Sequence, residues 1–231
     1  MAAVNHACRP FGNTFVSRWA MPKIVDRDAR RAEIAEAVMR VIARDGIEGA
    51  SVRTIAAESG WSAGAVRHYF SSQDELLGFA ADFVMRRIEG RLQAAIDNGA
   101  GPGPARARVT HLLEQLLPLD GERIAESRVW LALLMRCARD PGLDELRLRG
   151  WDGQRELCRM AVCELRGLPW PAPISDADPD GGADAGAAPD AVAAADLHAF
   201  LDGLTLQAAL VPERLTARAA RSALAAYLDR L

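Results

Sequence analysis

Residues 51–77, SVRTIAAESGWSAGAVRHYFSSQDELL, constrain the fold more than any other stretch of the chain. A short run with helical apolar spacing, 52–59, breaks sharply at Gly60-Trp61-Ser62 and is followed by a second short run, 63–70. Gly60 ends the first helix in a left-handed conformation at little steric cost. Ser62 is placed to cap the second by accepting a free backbone N–H. Ala56, Ala57 and Ala63 are small enough for the two helices to approach closely. Two helices joined by so short a glycine-containing turn form a helix-turn-helix, whose second helix fits a DNA major groove. The alternative is a helical hairpin with no role on DNA.

The ordered set Ile55-Ala56, Gly60, Ser62, Gly64, Arg67-His68-Tyr69-Phe70, Ser72, Asp74-Glu75 and Leu76-Leu77 resembles the DNA-binding domain of the TetR family of transcriptional repressors. The resemblance covers roughly residues 22–80. It implies that the second helix lies in the major groove with Ala63, Gly64, Ala65, Arg67, His68 and Tyr69 exposed. Arg67 has the planar fork that reads guanine. Ser51, Arg53, Ser62, His68 and Tyr69 are candidates for phosphate contacts, which set register without reading sequence. Gln73 completes the DNA-facing set. Three positions depart from the family pattern: Arg67 stands where many members have Tyr, Gln73 where Lys is common, and Trp61 where a smaller apolar residue is typical. Losing the lysine charge at Gln73 weakens backbone attraction by about one phosphate contact. The Trp61 ring is expected to pack on the helix-turn-helix core, with Val66 and Phe70.

Whole-chain charge does not carry the DNA argument. The formal net charge is −3 over 231 residues, so basic residues must act locally. Half the residues are apolar, enough for a substantial core. Cys8, Cys137, Cys158 and Cys163 have no C-x-x-C spacing and are read as reduced thiols. The absence of a long apolar run gives no membrane span, and the first residues lack the apolar segment of a secretory signal. A cytoplasmic protein is expected.

Residues 1–21 show no helical or strand period and read as a disordered tail. The alternative is a basic arm along DNA, using Arg9, Arg18, Lys23, Arg27, Arg30 and Arg31. A first helix over 27–44 carries Ile34, Val38, Val41 and Ile42, and Asp45-Gly46 closes it. After the helix-turn-helix, Ser72 and Glu75 have capping-box spacing. The helix they open keeps its apolar period from Leu76 to Ile96, too long for the DNA-binding domain alone, so it must link that domain to the next. Further helical patterns cover 105–117, 122–139, 143–166 and 191–210, with a last helix capped by Thr216. Prolines and aspartates over about 168–189 read as a flexible acidic loop. Asp176, Asp178 and Asp180 there lack the terminal bidentate Glu of a calcium loop. The expected fold is all-α with about nine helices. A three-helix helix-turn-helix domain spans 22–80, and a helical ligand-binding and dimerisation domain spans 81–231.

No catalytic or metal-binding constellation is found: His6, His68, His111 and His198 never fall at i, i+3 or i+4, and nucleotide and nucleophile-elbow motifs are missing. No cofactor is expected. The resemblance implies a small-molecule pocket in the second domain, with candidate liners Phe83, Val84, Arg87, His111, Leu112, Gln115, Trp130, Leu134, Trp151 and Phe200. The C-terminal part is similar to the choline-responsive subgroup, which makes Trp130 and Trp151 candidates for a cation cage. The two last helices are apolar on more than one face and so must bury two sides. In the family such helices pair into a dimeric four-helix bundle. Leu197, Leu201, Leu204, Ala208, Ala220, Leu224 and Tyr227 are the candidate dimer residues, and burial inside one protomer is the alternative. The resulting expectation is a homodimeric, effector-responsive repressor on a pseudo-palindromic operator. The rival is an all-α binding protein or enzyme with a vestigial helix-turn-helix.

Overall fold

The computed structural model describes residues 27–99, 104–137, 141–169 and 189–231. The expected N-terminal tail and most of the expected acidic loop lie outside the described residues. Nine α-helices and no strand occur among those that are described.

Helix α1 runs Arg27–Gly49, and the Asp45-Gly46 stop appears as a break inside it. Gly46 takes φ 75° and ψ −179°, a conformation open to glycine but strained for other residues. Helix α2 (Val52–Ser59) starts at Ser51, and α3 (Ala63–Tyr69) starts at Ser62. Helix α4 is unbroken from Gln73 to Gly99. At 27 residues and about 1.5 Å per residue it is about 40 Å long, so it does run out of the helix-turn-helix. Its start differs in one detail. Ser72 Oγ accepts the Glu75 N–H at 3.0 Å, but the Glu75 carboxylate reaches back to the N–H and hydroxyl of Ser71, at 2.7 and 2.8 Å. Those hydrogen bonds, from the hydroxyl first, hold the Glu75 carboxyl below its ordinary range.

Helix α5 (Ala105–Leu113) stops earlier than the sequence pattern suggests. Its leucines continue to Leu117, but backbone bonds there tighten to i→i+3. Pro118 disfavours α conformation in the residue before it, and Arg123 of α6 fills the gap by donating to the Glu114 carbonyl at 3.0 Å. Helices α6 (Gly121–Cys137), α7 (Asp144–Arg166), α8 (Pro189–Leu210) and α9 (Ala217–Leu228) follow, with a 3₁₀ turn at Pro141–Leu143. Thr216 caps α9 as expected, accepting the Ala219 N–H at 3.3 Å.

Two cores result. The first joins Ile34, Val38 and Val41 of α1, Ile55 of α2, Val66 of α3, Phe70, and Leu76, Ala80 and Val84 of α4. It also takes in Val129, Leu133 and Cys137 of α6. Each large apolar side chain so buried contributes about 1.5–3 kcal/mol. The second core joins α5, α7, α8 and α9 through Leu113, Cys158, Leu197, Leu201 and Leu224. Burial pushes the Cys158 thiol up to about 12, with the Asp202 charge adding to the effect.

Helix α6, which follows α5 in the second domain, packs into the first core beside α4, the helix expected to make that link alone. Buried Glu126 of α6 receives Arg91 of α4 through two bonds, at 2.9 and 2.6 Å, and Arg87 Nε at 3.1 Å. Arg87 also pairs with Glu122 and, at 3.0 Å, with Glu36 of α1.

One helical contact gives a stability prediction. In α7 a methyl group on Gly150 would overlap the Trp130 ring, whereas nothing lies within 4 Å of a methyl on Gly153. Gly153→Ala should gain up to about 1 kcal/mol from helix propensity. Gly150→Ala should lose up to about 2 kcal/mol net, because overpacking costs about 1–3 kcal/mol against that gain. Chemical denaturation of the pair checks this, and equal gains at both positions would refute the contact.

Candidate nucleic-acid interface

The helix-turn-helix is built on local caps. Thr54 N–H donates to Ser51 Oγ at 3.2 Å, and Ser51 N–H donates to Thr54 Oγ1 at 2.9 Å, a reciprocal capping box. The S-x-x-T spacing was the available signal for Thr54, which the sequence reading passed over. Gly60 is left-handed at φ 73° and sends its N–H to the Ala56 carbonyl. Ser62 Oγ then accepts the Ala65 N–H at 3.1 Å and fixes the direction of α3. Both serines thus have their oxygens engaged in caps; the Ser51 hydroxyl also lies 3.0 Å from Thr54 Oγ1, whereas Ser62 keeps a hydroxyl hydrogen for a phosphate.

Val66 and Phe70 are buried at 0% and 1% exposure, which turns the opposite face of α3 outward. Gly64, Arg67 and His68 are exposed there, with Ser62 at its head and Arg53 exposed on α2. Ala63 and Ala65 are half-buried, and as small residues they allow close backbone approach. Tyr69 is also half-buried and packs edge-on against Trp61, with ring centroids 6.4 Å apart. Trp61 packs on the first core as expected, and Arg30 lies over its ring at 4.5 Å. Gln73 is exposed but tied down: its Nε2 donates to the Ala50 carbonyl at 2.8 Å and braces α4 against the α1–α2 connection.

The effector candidates are not brought around one cavity. Phe83 and Trp130 pack on the first core, and Leu112 and Phe200 pack on the second. Phe200 stacks on Tyr227 at 4.2 Å. Val84 is fully buried, Leu134 is half-buried, and His111 is exposed. Gln115 bonds to the His111 carbonyl at 2.9 Å. Arg87 is committed to the acidic groups described above. Trp151 is 50% exposed, with its ring 4.4 Å from His198, so it forms no cage with Trp130. Two cavities lie elsewhere. An apolar one of about 40 Å³ under the helix-turn-helix is lined by Ile42, Ile55 and Leu77 among others. An open cleft of about 500 Å³ lies between Arg31, Phe79, Asp82 and Leu143. None of the candidate liners borders either. These residues are spread over the two cores rather than gathered at either cavity, because apolar periodicity does not reveal which neighbour covers a side chain.

The dimer candidates lie mostly inside the protomer. Leu197, Leu201, Leu204, Ala208, Ala220 and Leu224 are all buried in the protomer's own packing, and Tyr227 is half-buried against Phe200. The outward face of α8 carries Val192, Leu206 and Leu210 instead, 47%, 44% and 58% exposed.

His198, also on α8, is buried, and its Nε2 lies 3.6 Å from an Asp202 oxygen. Burial lowers its pKa below 6.5, Arg155 adds to this, and Asp202 opposes it. The unfolded chain then binds more protons than the folded one between the folded pKa and 6.5, so stability falls as pH drops through that window. Glu58 and Glu75, whose pKa values are lowered from 4.5, act only at lower pH. Denaturation midpoints from pH 7 to 5 should decline in the wild type and flatten in His198→Gln. Parallel curves would remove His198 as the cause.

Among the described residues no group of side chains could hold a metal ion, and no helix is long and apolar enough to cross a membrane. The capped turn and the exposed face of α3 form a helix-turn-helix, the unit by which DNA-binding transcriptional regulators enter the major groove. Residues 34–78 match the bacterial regulatory proteins of the tetR family, and residues 105–231 match the BetI-type transcriptional repressor C-terminal domain. The chain belongs to the TetR family. The transcriptional regulator PksA of Bacillus subtilis is 36% identical over 196 residues, spanning 84% of this chain and 86% of that one. The regulator BetI of Vibrio vulnificus is 29% identical over 216 residues, spanning 91% and 96%. A solved transcriptional regulator from Rhodococcus sp. Rha1 superposes with a TM-score of 0.68 at 30% identity, covering 87% of this chain and 94% of that one. A regulator from Saccharomonospora viridis, solved in complex with choline, shares the fold at a TM-score of 0.67 and 22% identity, covering 87% and 96%.

Proposed function

We propose that the chain is a cytoplasmic, homodimeric repressor that binds a pseudo-palindromic operator and is released by a small-molecule effector. The observation that carries the reading is the outward set Arg67, His68, Ser62 and Arg53 around buried Val66 and Phe70. The DNA-binding unit is taken as residues 22–80, and the effector-binding and dimerisation unit as 81–231. Two copies pair through the outer faces of α8 and α9. Exposed Val192, Leu206 and Leu210, with Ala195 and Ala199 between them, supply the apolar surface that such pairing buries. Each α3 then enters one of two half-sites about one helical turn, about 34–36 Å, apart.

Release requires an effector that prefers a state with a different separation of the two α3 helices, since equal affinity for both states shifts nothing. Helix α4 spans both units and α6 of the second unit packs into the first core, so these two helices are the levers. The effector class to test first is a quaternary ammonium compound, in line with the BetI-type relatives and the choline bound to the neighbour from Saccharomonospora viridis. Trp130 and Trp151 would have to leave their present ring contacts to cage it.

Selection of genomic fragments by the purified chain tests the reading. Enrichment of one inverted repeat, bound as two copies and released by an ammonium ligand, is the expected result. Uniform binding of unrelated fragments, with the same affinity lost at raised salt, would mark a non-specific contact and defeat it.

A further inference from the structure

Arg128, on α6, makes a contact that periodicity does not reveal. Its Nε donates to the Ala209 carbonyl of α8 at 3.0 Å, and its NH1 donates to the Ala43 carbonyl of α1 at 2.6 Å. The two carbonyls have the same origin. The last four carbonyls of a helix have no partner within it. Helical geometry in α1 is interrupted at Gly46 and α8 ends at Leu210, so Ala43 and Ala209 each fall in a last turn. Helix C-termini carry partial negative charge and favour a cation. One guanidinium, with its donors fixed in a plane, therefore caps two helices at once.

Those helices have different tasks. Beyond Gly46 the chain turns into Ser51, whose hydroxyl caps α2, so the end of α1 sets where the helix-turn-helix begins. Helix α8 carries the exposed apolar face assigned above to the second copy. We propose that Arg128 is a positioning residue that fixes each DNA-binding unit relative to the dimer-forming helix, and thereby sets the half-site spacing the protein accepts. The proposal rests on the dimeric, operator-binding reading. It gives the fold a path from α8 to α1 that passes through one side chain rather than along α4. The geometry accounts for Arg over Lys: an ammonium on a flexible stem cannot hold two carbonyls in one fixed fork.

The test uses the full-length chain. A spin label at Ala57→Cys, exposed on α2, with Cys8 and Cys163 changed to Ser, reports the distance between the two DNA-binding units of a dimer. Fragments with two half-sites and stepwise spacers report spacing preference, and an isolated half-site reports α3 itself. In Arg128→Met the distance distribution should broaden about twofold and the preference for one spacing should fall about tenfold. Single half-site affinity and helix content should stay at wild-type values. Arg128→Lys should fall between the two. A wild-type distance width and spacing preference in Arg128→Met, with only a lower melting temperature, would overturn the proposal. A dimer that ignores paired half-sites would sink the operator reading, while the label distances would still decide the role of Arg128.

Discussion

Replacing Arg67 by alanine should weaken operator binding by at least about 30-fold while leaving the fold intact. A bidentate arginine–guanine contact is worth about 1–3 kcal/mol of discrimination. A dimer makes it twice, so the loss is about 2–6 kcal/mol, and about 1.4 kcal/mol is a factor of ten. Arg67 is exposed on α3, and surface substitutions away from special features usually change stability by no more than about 0.5 kcal/mol. Arg67→Lys separates base reading from charge, because lysine keeps the positive charge but lacks the fork. If Arg67 reads a guanine, the lysine variant should bind weakly and accept other bases at one position of each half-site. If it touches only phosphate, the lysine variant should bind nearly as the wild type does, with specificity unchanged. Fluorescence anisotropy on operator and single-base variants distinguishes the two. Unchanged affinity in Arg67→Ala would remove the residue from the interface. Tyr69 is a poorer probe, because its ring packs on Trp61 and its removal would disturb the core.

The parts of this fold that are legible in the sequence are those set by neighbours a few residues away. Ser51, Ser62 and Thr216 each open a helix because a hydroxyl reaches an N–H three residues on. Gly60 closes one because it tolerates positive φ. The length of α4 follows from an apolar period uninterrupted from Leu76 to Ile96. Legibility ends where the partner is distant. Leu116 and Leu117 continue the period of α5, yet ahead of the proline at 118 the backbone has already left the α-helix for i→i+3 turns. Leu197 and Leu224 look equally fit for a core or a dimer face, since periodicity gives the stripe and not its occupant. Arg87 looked like a pocket residue because nothing local signals that its partners are Glu36, Glu122 and Glu126. The bridge through α6 is made entirely of such distant contacts. The helix-turn-helix scaffold is readable because its contacts are local, and the packing of the second domain is not because its contacts are tertiary.

The largest stability effect should come from Glu126. Its carboxylate is 2% exposed and faces two arginines of α4 that remain about a quarter exposed. Forming such a buried cluster gains little net, because desolvation offsets the Coulomb attraction. Removing one member is different, for it leaves the other charges partly buried without compensation, at a cost of about 3–5 kcal/mol. Partial exposure lets Arg87 and Arg91 recover some hydration, and Arg87 keeps Glu36 and Glu122, so the lower end applies. Glu126→Ala should lose about 3 kcal/mol, or about 6–12 °C in melting temperature for a chain of this size. Glu126→Gln keeps the shape and an acceptor oxygen and should lose less. Glu126→Leu combined with Arg91→Leu should recover much of the loss, since it removes opposite charges together and adds apolar packing. The comparison is Glu58→Ala, whose partners Arg40 and Arg44 are more than half exposed and whose loss should be much smaller, because solvent screens such surface pairs. Denaturant unfolding of the four variants reads the result. Equal, small losses at Glu126 and Glu58 would mean that the α4–α6 joint is held by its apolar contacts alone.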